Sequence, residues 1–363
     1  MNKIEKSIKF LNLIDSFGYE GYIVGGAVRD YLLGMPIYDI DITTSMPIEE
    51  LKCHFDFIDN GSKYLSITIL FEELELEVTN YRSDISYTDH RHPSVKIVDD
   101  INSDVVRRDF TINAILIDKD FNIIDKFNGK SDIDNKLIRA IGNPETRFEE
   151  DALRILRGLY LYTKLSFNFE DNTLKGIINK KGLLASLSNE RLYEYFLKLL
   201  EYKTDRLIKF IEKNNLFNDI SDYLLWLKVA KNDNLLNNTL RFYLSYKKLP
   251  PYITNKEKKY LKVVDDIKNS NFDILTIYQN KEYLVDILNV LDEYDINLKD
   301  MINDFKIKSD KELAVSKEEI ASHFESRYKK HAINEVIRSI LEGKIKNSEY
   351  DINNLIVELS YAK

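Results

Sequence analysis

Asp39 and Asp41 stand one residue apart in PIYDIDIT, Pro36 to Thr43, where they alternate with Ile37, Ile40 and Ile42. On a β-strand this spacing turns both carboxylates to one face. Two like charges held side by side repel unless a cation lies between them. Such a pair can hold Mg2+ through oxygen ligands, and two ions held this way clamp the attacking and leaving oxygens of a phosphoryl transfer. The competing reading is the polar side of a half-buried strand. A third carboxylate commonly completes a metal-binding set. Glu77 in LEVTNYR is the candidate, with Glu75 on the same face as its competitor.

Two further stretches have the chemistry of phosphate binding. In VGGAVRD, Gly25 and Gly26 follow a strand pattern and open a short helix, so backbone N–H groups can approach an anion. Arg29 adds a side-chain cation. In VVRRDFTINAI, Arg107 and Arg108 stand beside Asp109, with Asn113 further on. Guanidinium forks match phosphate oxygens, although a surface ion pair would use the same residues. DKFNGKSDI contains GKS, but a phosphate-binding P-loop needs glycine where Ile124 sits. This segment, with Asp125 and Asp132, is expected to be a loop that orders the head.

EEDALRILRGLYL carries a different signal. On a helical wheel Asp151, Arg154, Arg157 and Gly158 share one arc, while Ala152, Leu153, Ile155, Leu156, Leu159 and Tyr160 fill the other. A solvated charged face would look the same. An adjacent Asp and Arg can also read a base, the carboxylate accepting from an exocyclic amine and the guanidinium donating to a ring nitrogen. Cytosine and adenine present that order; uracil and guanine present its reverse and would leave buried groups unpaired.

The elements that must position these residues divide the chain in two. Helical spacing over residues 3–17 stops at Gly18. YIVGG reads as a strand, AVRDYLLG as a short helix and YDIDITT as a second strand. KYLSITILFE and ELELEVTNYR follow as strands joined by a turn, and AILIDKDFNIIDKF as a strand pair. Beyond about residue 145 helical periods dominate to the end.

At 363 residues there is room for two or three domains, and 44% hydrophobic with 31% charged residues is the balance of a soluble globular protein. The first residues have a charged, helical pattern unlike a signal peptide, and no apolar run approaches the about 18 residues of a membrane span. The single Cys53 excludes an internal disulfide and fits a reducing cytoplasm. A net charge of −8 argues against a general nucleic-acid coat but leaves room for a local basic groove. RFYLSYKKLPPYITNKEKKYLK is the candidate, with Arg241, Lys247, Lys248, Lys256, Lys258, Lys259 and Lys262 against a lone Glu257.

Taken in order, GGAVRD, DID, RRDFTINAI, DKFNGKSDI, EDALRILR and NERLYEYFLKLL resemble the motif series of class II tRNA nucleotidyltransferases and bacterial poly(A) polymerases, across roughly residues 20–200. The resemblance implies an α+β fold: a DNA-polymerase-beta-like nucleotidyltransferase palm, a small mixed sheet with helices, followed by an all-helical neck, body and tail. The corresponding ranges are 1–145, 146–203 and 204–363.

The implied activity is template-independent transfer of CMP and AMP from CTP and ATP to the tRNA 3′ end. Asp39 and Asp41 would hold Mg2+. Gly25, Gly26, Arg29 and Arg108 would grip the triphosphate, and Asp151 and Arg154 would read the base with Arg157 beside them. YRSDISYTDHRHPSVKIV resembles the family's flexible loop, with Arg82, Tyr87, Asp89 and Arg91 in matching positions. The loop looks complete, which favours a CCA-adding or A-adding enzyme over one adding only CC. His90 and His92 read as exposed loop residues. Many relatives continue the helix with arginine and phenylalanine where this chain has Tyr160 and Leu161, and the wheel puts Tyr160 on the apolar side, away from nucleotide. Poly(A) polymerase, an A-adding enzyme and a catalytically inactive tRNA-binding protein are the alternatives.

Overall fold

The computed structural model describes residues 2–59, 66–87, 93–98, 100–231 and 233–361. They form two compact units, Met1–Lys228 and Val229–Lys363. The expected boundaries at 145/146 and 203/204 both fall inside the first.

The first unit is built on a seven-stranded sheet. Its strands are β1 (Gly21–Val24), β2 (Ile40–Thr44), β3 (Phe57–Ile58), β4 (Ser66–Phe71), β5 (Leu74–Asn80), β8 (Leu116–Ile117) and β9 (Ile123–Ile124), in the order β3-β4-β5-β2-β1-β8-β9. β2 and β5 run parallel; the other neighbours are antiparallel. β6 (Arg82–Tyr87) and β7 (Pro93–Ile97) pair as a separate antiparallel ribbon.

Alternation explains the sheet's two faces. Leu74, Leu76 and Val78 are buried along β5, while Glu75 and Glu77 between them are exposed. Ile40 and Ile42 are buried on β2, with Asp41 between them. The β4–β5 turn consists of Glu72 and Glu73, both at positive φ. The first helix, Lys3–Ser16, starts with a capping box between Asn2 and Glu5 and ends before Gly18 at φ 87.

Two expectations need correction. DKFNGKSDI is not a plain loop: Gly129–Asp134 is helical, because Asp125 accepts the N–H groups of Gly129 and Lys130, both at 2.8 Å. Nor is EEDALRILRGLYL one helix. Pro144–Glu150 ends, Asp151 is extended, and a new helix runs Leu153–Leu165. Asp151 accepts the Leu153 N–H at 3.0 Å and so caps the helix on which it was expected to ride. Gly158 turns away from the charged residues, since a Cβ there would press on the rings of Phe110 and Phe169, each at 3.1 Å.

The second unit has helices and no strand among its described residues, with a core that includes Tyr278, Ile287 and Val336. Arg241, counted above with the basic stretch, is buried and tied to Glu293 and Asp233, so it belongs to the fold. No helix among the described residues is long and apolar enough to cross a membrane.

Candidate active site

A cavity of about 1360 Å3 opens in the first unit, and its walls collect residues from motifs more than 100 positions apart. Gly25, Gly26, Arg29, Asp39, Asp41, Glu77, Arg82, Arg108, Asp151, Arg154 and Arg157 all line it.

The sheet sets the carboxylates. Asp41 on β2 and Glu77 on β5 are direct partners in the parallel register, so both side chains rise from the same face. Glu77 lines the cavity and Glu75 does not, which separates the two candidates by position. Asp39 lies just before β2 and is exposed. Burial pushes the Asp41 carboxyl up to about 6; Glu77 and Asp39 add to the rise, and Arg108 and Arg157 oppose it. No three carboxylate, histidine or cysteine side chains among the described residues close on one point as a metal cage.

Gly25 is fixed by its neighbour. Its φ is 76, and a Cβ there would stand 2.5 Å from Asp41 Oδ2. Only glycine lets the turn pass this close to the carboxylate.

Behind Gly26 a polar network crosses the cavity floor. Lys164 Nζ donates to Asp30 Oδ2 at 2.8 Å, and Arg29 Nε donates to Asp30 Oδ1 at 2.8 Å. Arg29 Nη1 reaches Asn113 Oδ1 at 2.6 Å, and Asn113 donates to Asp109 at 3.2 Å. Arg157 closes the chain on Asp109 at 3.4 Å. Burial would raise the Asp109 pKa, but Arg157, Asn113 and the Phe110 N–H hold it below the usual carboxylate range.

The double arginine is anchored from below. Asp104, fully buried, accepts from Arg107 at 2.6 Å and from Arg108 at 2.8 Å. Despite its burial, Arg108 and Arg107 hold its carboxyl below the ordinary range. Nε of Arg108 is buried and has no hydrogen-bond partner among the described residues, a donor that an anion could satisfy. Asp104→Asn leaves two guanidinium groups without their counter-charge. It is expected to cost about 3 kcal/mol in urea unfolding.

At the other end, Asp151 Oδ1 serves as the helix cap and Oδ2 has no hydrogen bond among the described residues. Burial raises the Asp151 pKa, against Arg154. The Arg154 guanidinium is buried, donating to Glu150 at 2.8 Å and to the carbonyls of Arg147 at 3.0 Å and Arg107 at 3.2 Å. Tyr160 lines the cavity together with Leu161, contrary to its expected place on the apolar side. Tyr160 lies one turn beyond Arg157, so it sits at the edge of the arc that carries Arg154 and Arg157.

Asp104, Asp30, Lys164, Tyr195, Lys198 and Tyr202 did not stand out in the sequence. Asp104 was detectable at three and four residues before Arg107 and Arg108, and Tyr195, Lys198 and Tyr202 follow i, i+3, i+7 spacing.

Of the resembling loop, Arg82 lines the cavity and Tyr87 falls in β6. Asp89 and Arg91, like His90 and His92, lie outside the described residues. In the second unit Lys256, Lys258, Lys259 and Lys262 project from the helix Asn255–Asn269, whose Tyr260, Leu261, Val263 and Val264 face the core. Lys247 and Lys248 are also exposed.

A family model described as the Poly A polymerase head domain matches residues 21–139. A CCA-adding enzyme of Staphylococcus epidermidis is 42% identical over 198 residues, 54% of this chain and 50% of that protein. That match therefore spans about half the relative's length. A CCA-adding enzyme of Ligilactobacillus salivarius is 31% identical across 96% of this chain and 95% of its own. In fold, the crystal structure of Bacillus stearothermophilus CCA-adding enzyme in complex with CTP aligns over 100% of this chain and 99% of that one, with TM-score 0.73 and 24% identity. With a relative above 30% identity along nearly the full length of both, the chain belongs to the CCA-adding enzyme family.

Proposed function

We propose that this chain is a template-independent CCA-adding tRNA nucleotidyltransferase, which transfers CMP and AMP from CTP and ATP to the tRNA 3′ end. The observation that supports it is one cavity bringing the Asp39, Asp41 and Glu77 carboxylates together with Arg108 and the Asp151–Arg154 corner.

The acidic end fits Mg2+. Asp41 is held at an unfavourable charge by burial and by Glu77, and a cation would relieve it. Mg2+ is usually held by one or two carboxylates with substrate phosphates completing its shell. Asp39 and Asp41 would hold the ion, with Glu77 beside them. When bound, it lowers the pKa of the attacking hydroxyl and neutralises charge on the phosphates.

The remaining work falls to the protein. Arg108, held by Asp104, lines the cavity and would turn its unpaired Nε to a phosphate oxygen. Arg29, Gly25 and Gly26 bound the same end of the cavity. Asp151 Oδ2 accepts the exocyclic amine of cytosine or adenine, and Arg154, turned from Glu150, donates to the neighbouring ring nitrogen. Uracil and guanine would present an oxygen to Asp151 and are rejected. The 3′-hydroxyl attacks the α-phosphate in line and pyrophosphate leaves, with no covalent enzyme intermediate.

A tRNA transcript lacking its last three nucleotides tests this. CTP alone should give two additions, and CTP with ATP three, after which extension stops. No incorporation of C would indicate an A-adding enzyme, a long A tail a poly(A) polymerase, and binding without extension an inactive tRNA-binding protein.

We place the body of the tRNA on the helical part, with Lys247, Lys248, Lys256, Lys258, Lys259 and Lys262 as contacts to its phosphates. Reversing Lys258, Lys259 and Lys262 to glutamate is expected to weaken tRNA binding about tenfold and flatten its salt dependence. Unchanged affinity and salt slope in a filter-binding titration would remove this surface from the proposal.

A further inference from the structure

The cavity is larger than one nucleotide needs. Its volume of about 1360 Å3 exceeds the about 300–1,000 Å3 usual for small-molecule sites. The acidic end and the Asp151 corner account for one nucleoside triphosphate. Tyr160, Tyr202 and Lys198, which also line the cavity, have no task in that account.

Their placement follows from two helices. Tyr160 stands one turn beyond Arg157 on the helix Leu153–Leu165. Lys198 projects from the helix Asn189–Leu200, whose Leu192, Phe196 and Leu199 are buried on another face, and Tyr202 follows that helix. The two tyrosine rings meet edge to face, with centroids 5.9 Å apart and planes at 72°, and their hydroxyls are 3.5 Å apart. Neither ring is stacked flat on another among the described residues. Lys198 is exposed, lies 5.2 Å from the Tyr195 ring and forms no ion pair among the described residues.

We infer that Tyr160 and Tyr202 form a stacking platform for the terminal base of the RNA 3′ strand, with Lys198 on an adjacent phosphate. This rests on the reading proposed above and names where the second substrate sits. Paired aromatic rings and a cation are what single-stranded nucleic acid binding uses, and stacking accepts any base because every base has a π face. Such tolerance suits this reaction, in which the terminal base changes after each addition. It also gives a task to Tyr160, which lines the cavity beyond Arg157.

The test compares an intact RNA minihelix primer with one whose 3′-terminal nucleotide is abasic, using the full chain and measuring primer Kd and KM. Wild type should bind the abasic primer about tenfold more weakly. Tyr160→Leu and Tyr202→Leu should each bind the intact primer about that much more weakly, with little further loss on the abasic one and an unchanged Kd for CTP. Variants that lose as much as wild type on removal of the base overturn the platform, even where they bind more weakly throughout, because that pattern is structural. Failure of wild type to extend the intact primer at all would instead overturn the proposed function, and this inference with it.

Discussion

Asp41→Asn is expected to abolish nucleotide transfer, lowering the rate by at least about 10³-fold, the scale on which catalytic electrostatics act, while the protein stays folded. Asparagine matches the side chain in shape but cannot supply the charge with which Asp41 and Asp39 would hold a cation. Its effect on stability runs the other way. Burial raises the folded-state pKa of Asp41 from 3.8 to about 6, so between those values the folded protein keeps a proton that the unfolded chain has released. In the metal-free protein stability therefore falls as pH rises through that window, and the penalty is complete above it. Asparagine removes the penalty. Metal-free variant should melt no lower than wild type at pH 7, and the check is a thermal melt beside a single-turnover assay. Wild-type turnover by this variant would remove Asp41 from the chemistry.

Gly25→Ala carries the second large effect, although it removes no functional group. The new methyl would stand 2.5 Å from Asp41 Oδ2, and the backbone is at φ 76, where alanine is strained. Either the carboxylate swings away from Glu77 or the turn opens. We expect a fall in kcat of about 10²-fold, the size that small displacements of reacting groups produce, with about 1–2 kcal/mol of lost stability. Denaturant unfolding and steady-state kinetics on the same preparation separate the two. An alanine variant with wild-type kcat would mean that the close approach of Gly25 to Asp41 has no catalytic role.

Much of this site was legible in the residues because alternation is a strong signal. Isoleucines on either side of Asp41, and leucine and valine around Glu77, put both carboxylates on the sheet face that lines the cavity. Their pairing across β2 and β5 was not legible, since a parallel register between strands so far apart in sequence leaves no local trace. It is this register that favours Glu77 over Glu75. The Asp151 break was hidden for another reason. An apolar period that continues through a cap looks like a single helix, so Asp151 reads as a helix residue when it is the cap. Asp104 escaped attention because a buried carboxylate reads like any acidic helix residue until the arginines above it are placed. The second unit was legible only as helices. Its core is apolar spacing without chemistry, and the division after Lys228 follows from packing that no motif marks.

In the proposed reaction one site takes both nucleotides through the same base-reading corner. Competitive titration of the metal-loaded protein with CTP and ATP, in the absence of tRNA, tests it most directly. One site per chain is expected, with saturating CTP excluding ATP, and with UTP and GTP displacing neither. ATP binding that is unaffected by saturating CTP would contradict it.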